Sequence, residues 1–178
     1  HPTQALLDMF TVMEKKGSIN GLKVAIVGDI AHSRVARSNI YGFTKMGATV
    51  CVGGPSTLLP KDMDKLGISV YPSVQEAIMD ADVIMNLRVQ LERQKSGLFP
   101  TTREYARFFG MTDSRLEYAK PDALIMHPGP VNRGVEITSS VADHERSVID
   151  EQVTNGVAVR MALLYIFARK GVSHENID

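Results

Sequence analysis

The sequence has 178 residues, 44% of them hydrophobic and 22% charged, enough for one sizeable core in one domain. Twenty basic residues balance twenty acidic ones for a formal net charge of zero, and without a basic run the chain lacks the clustered cations that nucleic-acid or membrane-surface binding rests on, so a small ligand is expected. The single cysteine, Cys51, excludes an internal disulfide, no window approaches the length of a transmembrane helix and no signal-peptide pattern opens the chain, which makes a reducing cytoplasm the expected setting.

The chain opens at His1 rather than at a methionine, which reads as a sequence cut, processed or excised from something longer. Pro2 at a first helical position and Gly17 at a C-terminal one predict a helix, with Ala5, Leu6, Met9, Phe10 and Met13 as its apolar stripe and His1 at its N-terminal end. Residues 24–27 follow as an apolar strand without polar alternation, the pattern of a strand covered on both faces. Gly28 turns the chain into a helix over residues 33–46, Gly47 stops it, and residues 48–52 form a second strand broken by Gly53, Gly54 and Pro55. A short helix over 60–66, a strand over 68–71, a helix over 74–79 and a strand over 83–86 repeat the rhythm. Residues 88–100 are polar and read as a long loop, expected to be a lid that closes on a ligand. Helical pieces over 102–108 and 114–119 precede a fifth strand over 123–126, which runs into His127-Pro128-Gly129-Pro130, too rich in proline for a helix or a central strand. A helix over 150–170 closes the chain, with Val153, Val157, Leu164 and Phe167 among its apolar positions and Arg160 within it. Cys51 falls in the second strand and reads as a small core residue rather than a nucleophile.

This alternation predicts an α/β fold, a doubly wound, mainly parallel five-stranded Rossmann-like sheet of order 3-2-1-4-5 with helices on both faces. The switch point then lies between strands one and four, so the segments that follow them, carrying Arg34 and Arg88, flank one crevice, with the loop after strand five beside it. A dinucleotide fits that crevice poorly. In G-D-I-A-H-S, Ile30 and Ser33 stand where the second and third glycines of the pyrophosphate turn belong, and no acidic residue ends the second strand. No Walker-type loop is present either, and no Cys/His cluster has metal-ligand spacing, so neither cofactor nor metal is expected. What the crevice holds is arginine. Arg88 and Gln90, two apart in an extended segment, project to one side, with Arg34 facing them. A lone arginine here reads as half of a structural ion pair, Arg88 with Glu92 for instance. Two arginines at neighbouring strand ends shift the balance toward bidentate binding of a dicarboxylate.

Four separated motifs carry a family resemblance: His1-Pro2-Thr3-Gln4-Ala5-Leu6-Leu7-Asp8, the turn from Gly28 to Ser38 with H-S-R-V-A-R-S, L-R-V-Q-L-E-R from Leu87 to Arg93, and H-P-G-P-V-N-R-G from His127 to Gly134. In that order, and over nearly the whole length, the sequence resembles the aspartate-binding half of the aspartate carbamoyltransferase catalytic chain. The family's other half, with its Ser-x-Arg-Thr-Arg carbamoyl-phosphate motif, has no counterpart here; Thr101-Thr102-Arg103 is the nearest string and does not match. The related ornithine carbamoyltransferases share the fold and an H-P-x-Q start, but they typically carry His-Cys-Leu-Pro where this sequence has His127-Pro128-Gly129-Pro130. A dicarboxylate-binding module without turnover is the alternative from another class.

The resemblance implies transfer of the carbamoyl group of carbamoyl phosphate to the amine of L-aspartate in pyrimidine (UMP) biosynthesis. It implies that His1 donates toward the carbamoyl oxygen, that Gln4 holds the carbamoyl amide, that Arg34, Arg88 and Gln90 bind the aspartate carboxylates, and that Pro128, Gly129 and Pro130 line the pocket. His127 is expected to be a structural hydrogen-bonding residue. The partners implied are a carbamoyl-phosphate domain of the same chain, on which the helices near 2–16 and 150–170 pack, two further copies in a homotrimer, and room for a regulatory chain. Alone, the 178 residues are expected to be inactive.

Overall fold

A computed structural model describes residues 2–61, 63–89 and 101–172, the side chains at 64 and 170–172 aside. His1, Gln90 and, apart from Arg88 and Val89, the expected lid lie outside the described residues. The elements are α1 (Pro2–Lys16), β1 (Lys23–Val27), α2 (Arg34–Lys45), β2 (Thr49–Gly53), β3 (Ser69–Tyr71), α3 (Val74–Ile78), β4 (Val83–Asn86), α4 (Thr102–Phe109), α5 (Asp113–Leu116), β5 (Leu124–Met126), α6 (Ser139–Ala142) and α7 (Ile149–Val172), with short 3₁₀ turns at Ser56–Leu58 and Met63–Leu66.

The five strands form one parallel sheet of order β3-β2-β1-β4-β5, as their connections predicted. Its register places Ala25 of central β1 between Cys51 of β2 and Ile84 of β4. Successive strand residues point to opposite faces, and here both faces are covered. Val24, Ile26, Val50, Val52, Val83 and Met85 pack under Ala36, Ile40 and Phe43 of α2 and Val12 of α1. On the other face Ala25, Val27, Cys51, Ile84 and Ile125 meet Val74, Ala77 and Ile78 of α3, with Leu116 and Val141. Full burial of each large apolar side chain contributes about 1.5–3 kcal/mol, which explains the unbroken apolar runs of β1 and β4.

Helix starts are marked by hydroxyls. Ser33, Ser73, Thr101, Thr112 and Thr138 each cap a helix, accepting the N–H three residues on, and such a cap stabilises a helix by about 1 kcal/mol. Cys51 is the core residue it reads as: its thiol donates to the Ala77 carbonyl (3.2 Å), and burial pushes it up to about 11, leaving little thiolate at neutral pH.

The stripe expected on α1 divides, with Ala5 buried and Met9 packed partly buried against the core while its other three members face out. Gln4, Ala5, Leu7, Asp8, Thr11 and Val12 face inward, whereas Leu6, Phe10 and Met13 are 40%, 41% and 44% exposed. The inward polar groups are matched from distant sequence. Asp8 accepts from Gln4, Asn39 of α2 and Gln152 of α7, while Asn155 of α7 donates to Thr11 and Glu14. Buried polar groups that find partners cost little, so the helix seats its polar side against α2 and α7 and turns large apolar residues outward. Helix α7 packs on α1 through its first turns, where a Cβ on Gly156 would come within 3.2 Å of Leu7. Val153, Val157, Met161, Leu164, Tyr165 and Phe167 are all exposed.

Candidate functional site

The site is built at the carboxyl edge of the sheet, where β1, β2 and β4 end side by side. Gly28 closes β1 at φ 122°, its N–H donates to the Gly53 carbonyl at the end of β2, and the Leu87 N–H beyond β4 donates to the Val27 carbonyl. A Cβ on Gly28 would stand 2.9 Å from the Leu87 carbonyl oxygen, so glycine is required for contact rather than for a nucleotide. Ile30, read from sequence as an obstacle to a pyrophosphate, is buried in the core. Gly28→Ala is expected to combine strained backbone, about 1–3 kcal/mol, with displacement of Leu87 and Arg88. Gly21→Ala, at φ 80° with no atom within 4 Å, incurs the strain alone. Chemical denaturation of both variants checks this, and equal losses would remove the close approach as the reason for Gly28.

Beyond Gly28, Asp29 is buried and accepts from the His32 backbone N–H and pairs with its Nδ1 (2.8 Å), which holds the turn. Ser33 caps α2, so Arg34 is the first residue of that helix, exposed at an N-terminus whose unpaired N–H groups add positive potential. Arg88 follows β4 and is half-buried. Asn132 Nδ2 donates to the Val89 carbonyl (3.3 Å), tying this segment to the loop after β5.

That loop is set by His127. Its Nδ1 accepts the Gly129 N–H (2.9 Å), which leaves the proton on Nε2, facing Glu136 Oε1 at 3.2 Å. Glu136 also accepts the Asn132 N–H (2.6 Å), and the His127 N–H donates to Gln152 Oε1 (2.9 Å). With both ring nitrogens engaged and the side chain buried, His127 is structural, as expected from its place at the strand end.

Gln4, Ser33, Arg34, Val35, Arg88, Pro128 and Gly129 line one cavity of about 160 Å³. A second, of about 310 Å³, shares Gln4, Pro128 and Gly129 with it and is bounded further by Leu7, Gln152 and Arg160. Five of the residues singled out in sequence thus meet around one space: Gln4, Arg34, Arg88, Pro128 and Gly129. Pro130 is exposed and is not among the lining residues, and His1 and Gln90 lie outside the described residues. Two guanidiniums and an amide around one space suit an anion carrying an N–H group. Among the described residues no group of three His, Cys, Asp or Glu side chains could hold a metal ion. Sequence reasoning missed Ser33, Gln152, Asn132 and any place for Arg160 in the site; the hydroxyl before the α2 pattern was the one available signal.

Residues 20–167 match the family model described as aspartate/ornithine carbamoyltransferase, Asp/Orn binding domain. The chain belongs to the aspartate/ornithine carbamoyltransferase family. That match leaves out α1, but more similar relatives include it: the chain is 68% identical over all 178 residues to the aspartate carbamoyltransferase catalytic subunit of Ruminiclostridium cellulolyticum, covering 57% of that protein. It is 71% identical over 170 residues, 96% of its length and 54% of the relative, to the corresponding subunit of Acetivibrio thermocellus. The chain therefore spans about half the length of these relatives. Among solved structures it is similar to ornithine carbamoyltransferase from Pyrococcus furiosus (TM-score 0.78, 33% identity, 92% of this chain and 55% of that one). It is also similar to aspartate transcarbamoylase from Trypanosoma cruzi in complex with carbamoyl aspartate and phosphate (TM-score 0.76, 27% identity, 93% and 55%).

Proposed function

We propose that this carbamoyltransferase domain is the aspartate-binding half of an aspartate carbamoyltransferase, and that its cavity between Arg34, Arg88 and Gln4 holds aspartate beside carbamoyl phosphate. The observation that carries this reading is the convergence of two arginines from separate strand ends on one cavity with Gln4. Forked guanidiniums pair with carboxylates, whereas a side-chain ammonium would be repelled. Overall fold does not separate aspartate from ornithine as substrate, since solved structures of both kinds match about equally well. The high identity to aspartate carbamoyltransferase catalytic subunits supports aspartate.

In this reading Arg34, Arg88 and Gln90 bind the two carboxylates, and the backbone of Pro128, Gly129 and Pro130 accepts from the amines. Gln4 holds the carbamoyl amide and His1 donates to the carbamoyl oxygen. The aspartate nitrogen attacks the carbonyl carbon, a tetrahedral intermediate forms, and phosphate leaves with the electron pair of the broken C–O bond while the amine sheds a proton. Holding the two reactants in attack geometry supplies about 7–11 kcal/mol of the barrier. A carbamoyl-phosphate domain of the same chain completes the site, in a cytoplasmic homotrimer that serves pyrimidine synthesis and leaves room for a regulatory chain. No described helix is long and apolar enough to cross a membrane.

The test is product analysis of the intact protein given carbamoyl phosphate with L-aspartate or L-ornithine. Carbamoyl aspartate alone is expected. Carbamoylation of ornithine, or binding of aspartate without turnover in the intact protein, would overturn the reading.

A further inference from the structure

Asp8 is fully buried at the junction of α1, α2 and α7, and no role in binding or chemistry accounts for it. A carboxylate taken out of water is costly, and burial raises its pKa even against three hydrogen-bond donors. The three donors are all side-chain amides. Oδ1 accepts from Gln4 Nε2 (2.9 Å) and Gln152 Nε2 (2.8 Å), and Oδ2 accepts from Asn39 Nδ2 (2.8 Å).

An amide can present either end to a neighbour, and an ionised carboxylate only accepts, so Asp8 decides which end each amide shows elsewhere. Gln152, held by its nitrogen, turns Oε1 to the His127 N–H. Gln4, held the same way, turns Oε1 away from Asp8, where it makes no hydrogen bond among the described residues while its side chain lines both cavities. From these contacts we infer that Asp8 is a positioning residue for the transfer reaction: it locks the Gln4 amide with its carbonyl oxygen toward the cavity, as an acceptor for the NH₂ of the carbamoyl group. The inference rests on the function proposed above. Without the lock, Gln4 samples both amide orientations, and the wrong one sets NH₂ against NH₂.

The structure also predicts which replacement retains the lock. Asn39 Oδ1 is buried with no hydrogen-bond partner. With asparagine at position 8, Oδ1 keeps Gln4 and Gln152 while Nδ2 faces Asn39, whose amide turns over to accept. Leucine at position 8 has about the same size and holds neither glutamine.

The experiment is a double-mutant cycle in the intact enzyme, measuring kcat/KM for carbamoyl phosphate at saturating aspartate, with thermal melting as the check on folding. Asp8→Leu is expected to lower kcat/KM about tenfold or more, the loss of one oriented hydrogen bond in the transition state. Asp8→Asn is expected to stay within about threefold of the parent, the cost of turning one amide. In a Gln4→Ala background, Asp8→Leu should cost markedly less than in the parent, retaining only what the release of Gln152 from the His127 N–H adds. If Asp8→Leu does not fold, Asp8→Ser, too short to reach Gln4, takes its place in the cycle. Losses from position 8 that add in full to that of Gln4→Ala would overturn the inference, because Asp8 would then act on stability alone. Failure of the parent enzyme to make carbamoyl aspartate would instead sink the functional reading, a separate and recognisable result.

Discussion

Arg88→Ala in the intact protein is expected to raise the KM for aspartate and lower turnover together, for a combined loss in kcat/KM of roughly 10- to 150-fold. That range corresponds to one charge-assisted hydrogen bond, about 1.5–3 kcal/mol. The effect should be local. The segment is pinned on one side by the Leu87 N–H on Val27 and on the other by Asn132 on the Val89 carbonyl, so removing the guanidinium leaves the backbone in place. Arg88→Lys keeps the charge and loses the fork, and should fall between the alanine variant and the parent. Steady-state kinetics with each substrate varied in turn checks both. A rise in KM for carbamoyl phosphate with aspartate unaffected would remove Arg88 from the carboxylate site.

The 178-residue chain by itself is expected to form no carbamoyl aspartate above background and to self-associate. Among the described residues that line the cavity, the cations are the arginine pair assigned to aspartate, and the sequence holds no Ser-x-Arg-Thr-Arg motif. Association follows from what α1 and α7 leave outward: Leu6, Phe10, Met13, Val153, Val157, Leu164 and Phe167 are between 40% and 72% exposed. Burying each such side chain contributes up to about 1.5–3 kcal/mol, so this many of them on two neighbouring helices favours any partner that covers them. Mixing with the complementary carbamoyl-phosphate half should restore turnover and disperse the aggregate, read by product formation and sedimentation velocity. Turnover by the chain alone at the rate of the intact enzyme would place the phosphate site in the wrong half.

The sheet was legible because its signals are local: apolar runs such as Val24 to Val27, glycines at strand ends and alternating connections dictate a parallel, doubly wound order. The meeting of Arg34 with Arg88 was legible as a corollary, since the strand order puts their segments at one edge. The inward side of α1 was not. Leu6, Phe10 and Met13 read as an apolar stripe open to a partner and are exposed, but what packs on the opposite side is the polar set Asp8, Thr11, Asn39, Gln152 and Asn155, whose pairing spans up to 144 residues. A residue's neighbours in sequence do not report partners that far away. Gly28 shows the same limit in a turn: its spacing could be tested against a phosphate motif, but the carbonyl of Leu87 that forbids a side chain there belongs to another strand.

The two outermost strands of the sheet are also its shortest, with β3 and β5 three residues each. On β5 even that margin is taken: the Ile125 N–H donates to the Arg146 carbonyl and the Ile125 carbonyl accepts from Val148, so the rim offers no unpaired backbone at its centre. A foreign strand therefore finds almost nothing to extend, which is the usual route by which exposed β structure seeds fibrils. The large apolar side chains that α1 and α7 turn outward belong to helices, whose backbone is already paired, so adhesion there proceeds without templating. A surface of that kind lets go again, so association through it is expected to be reversible.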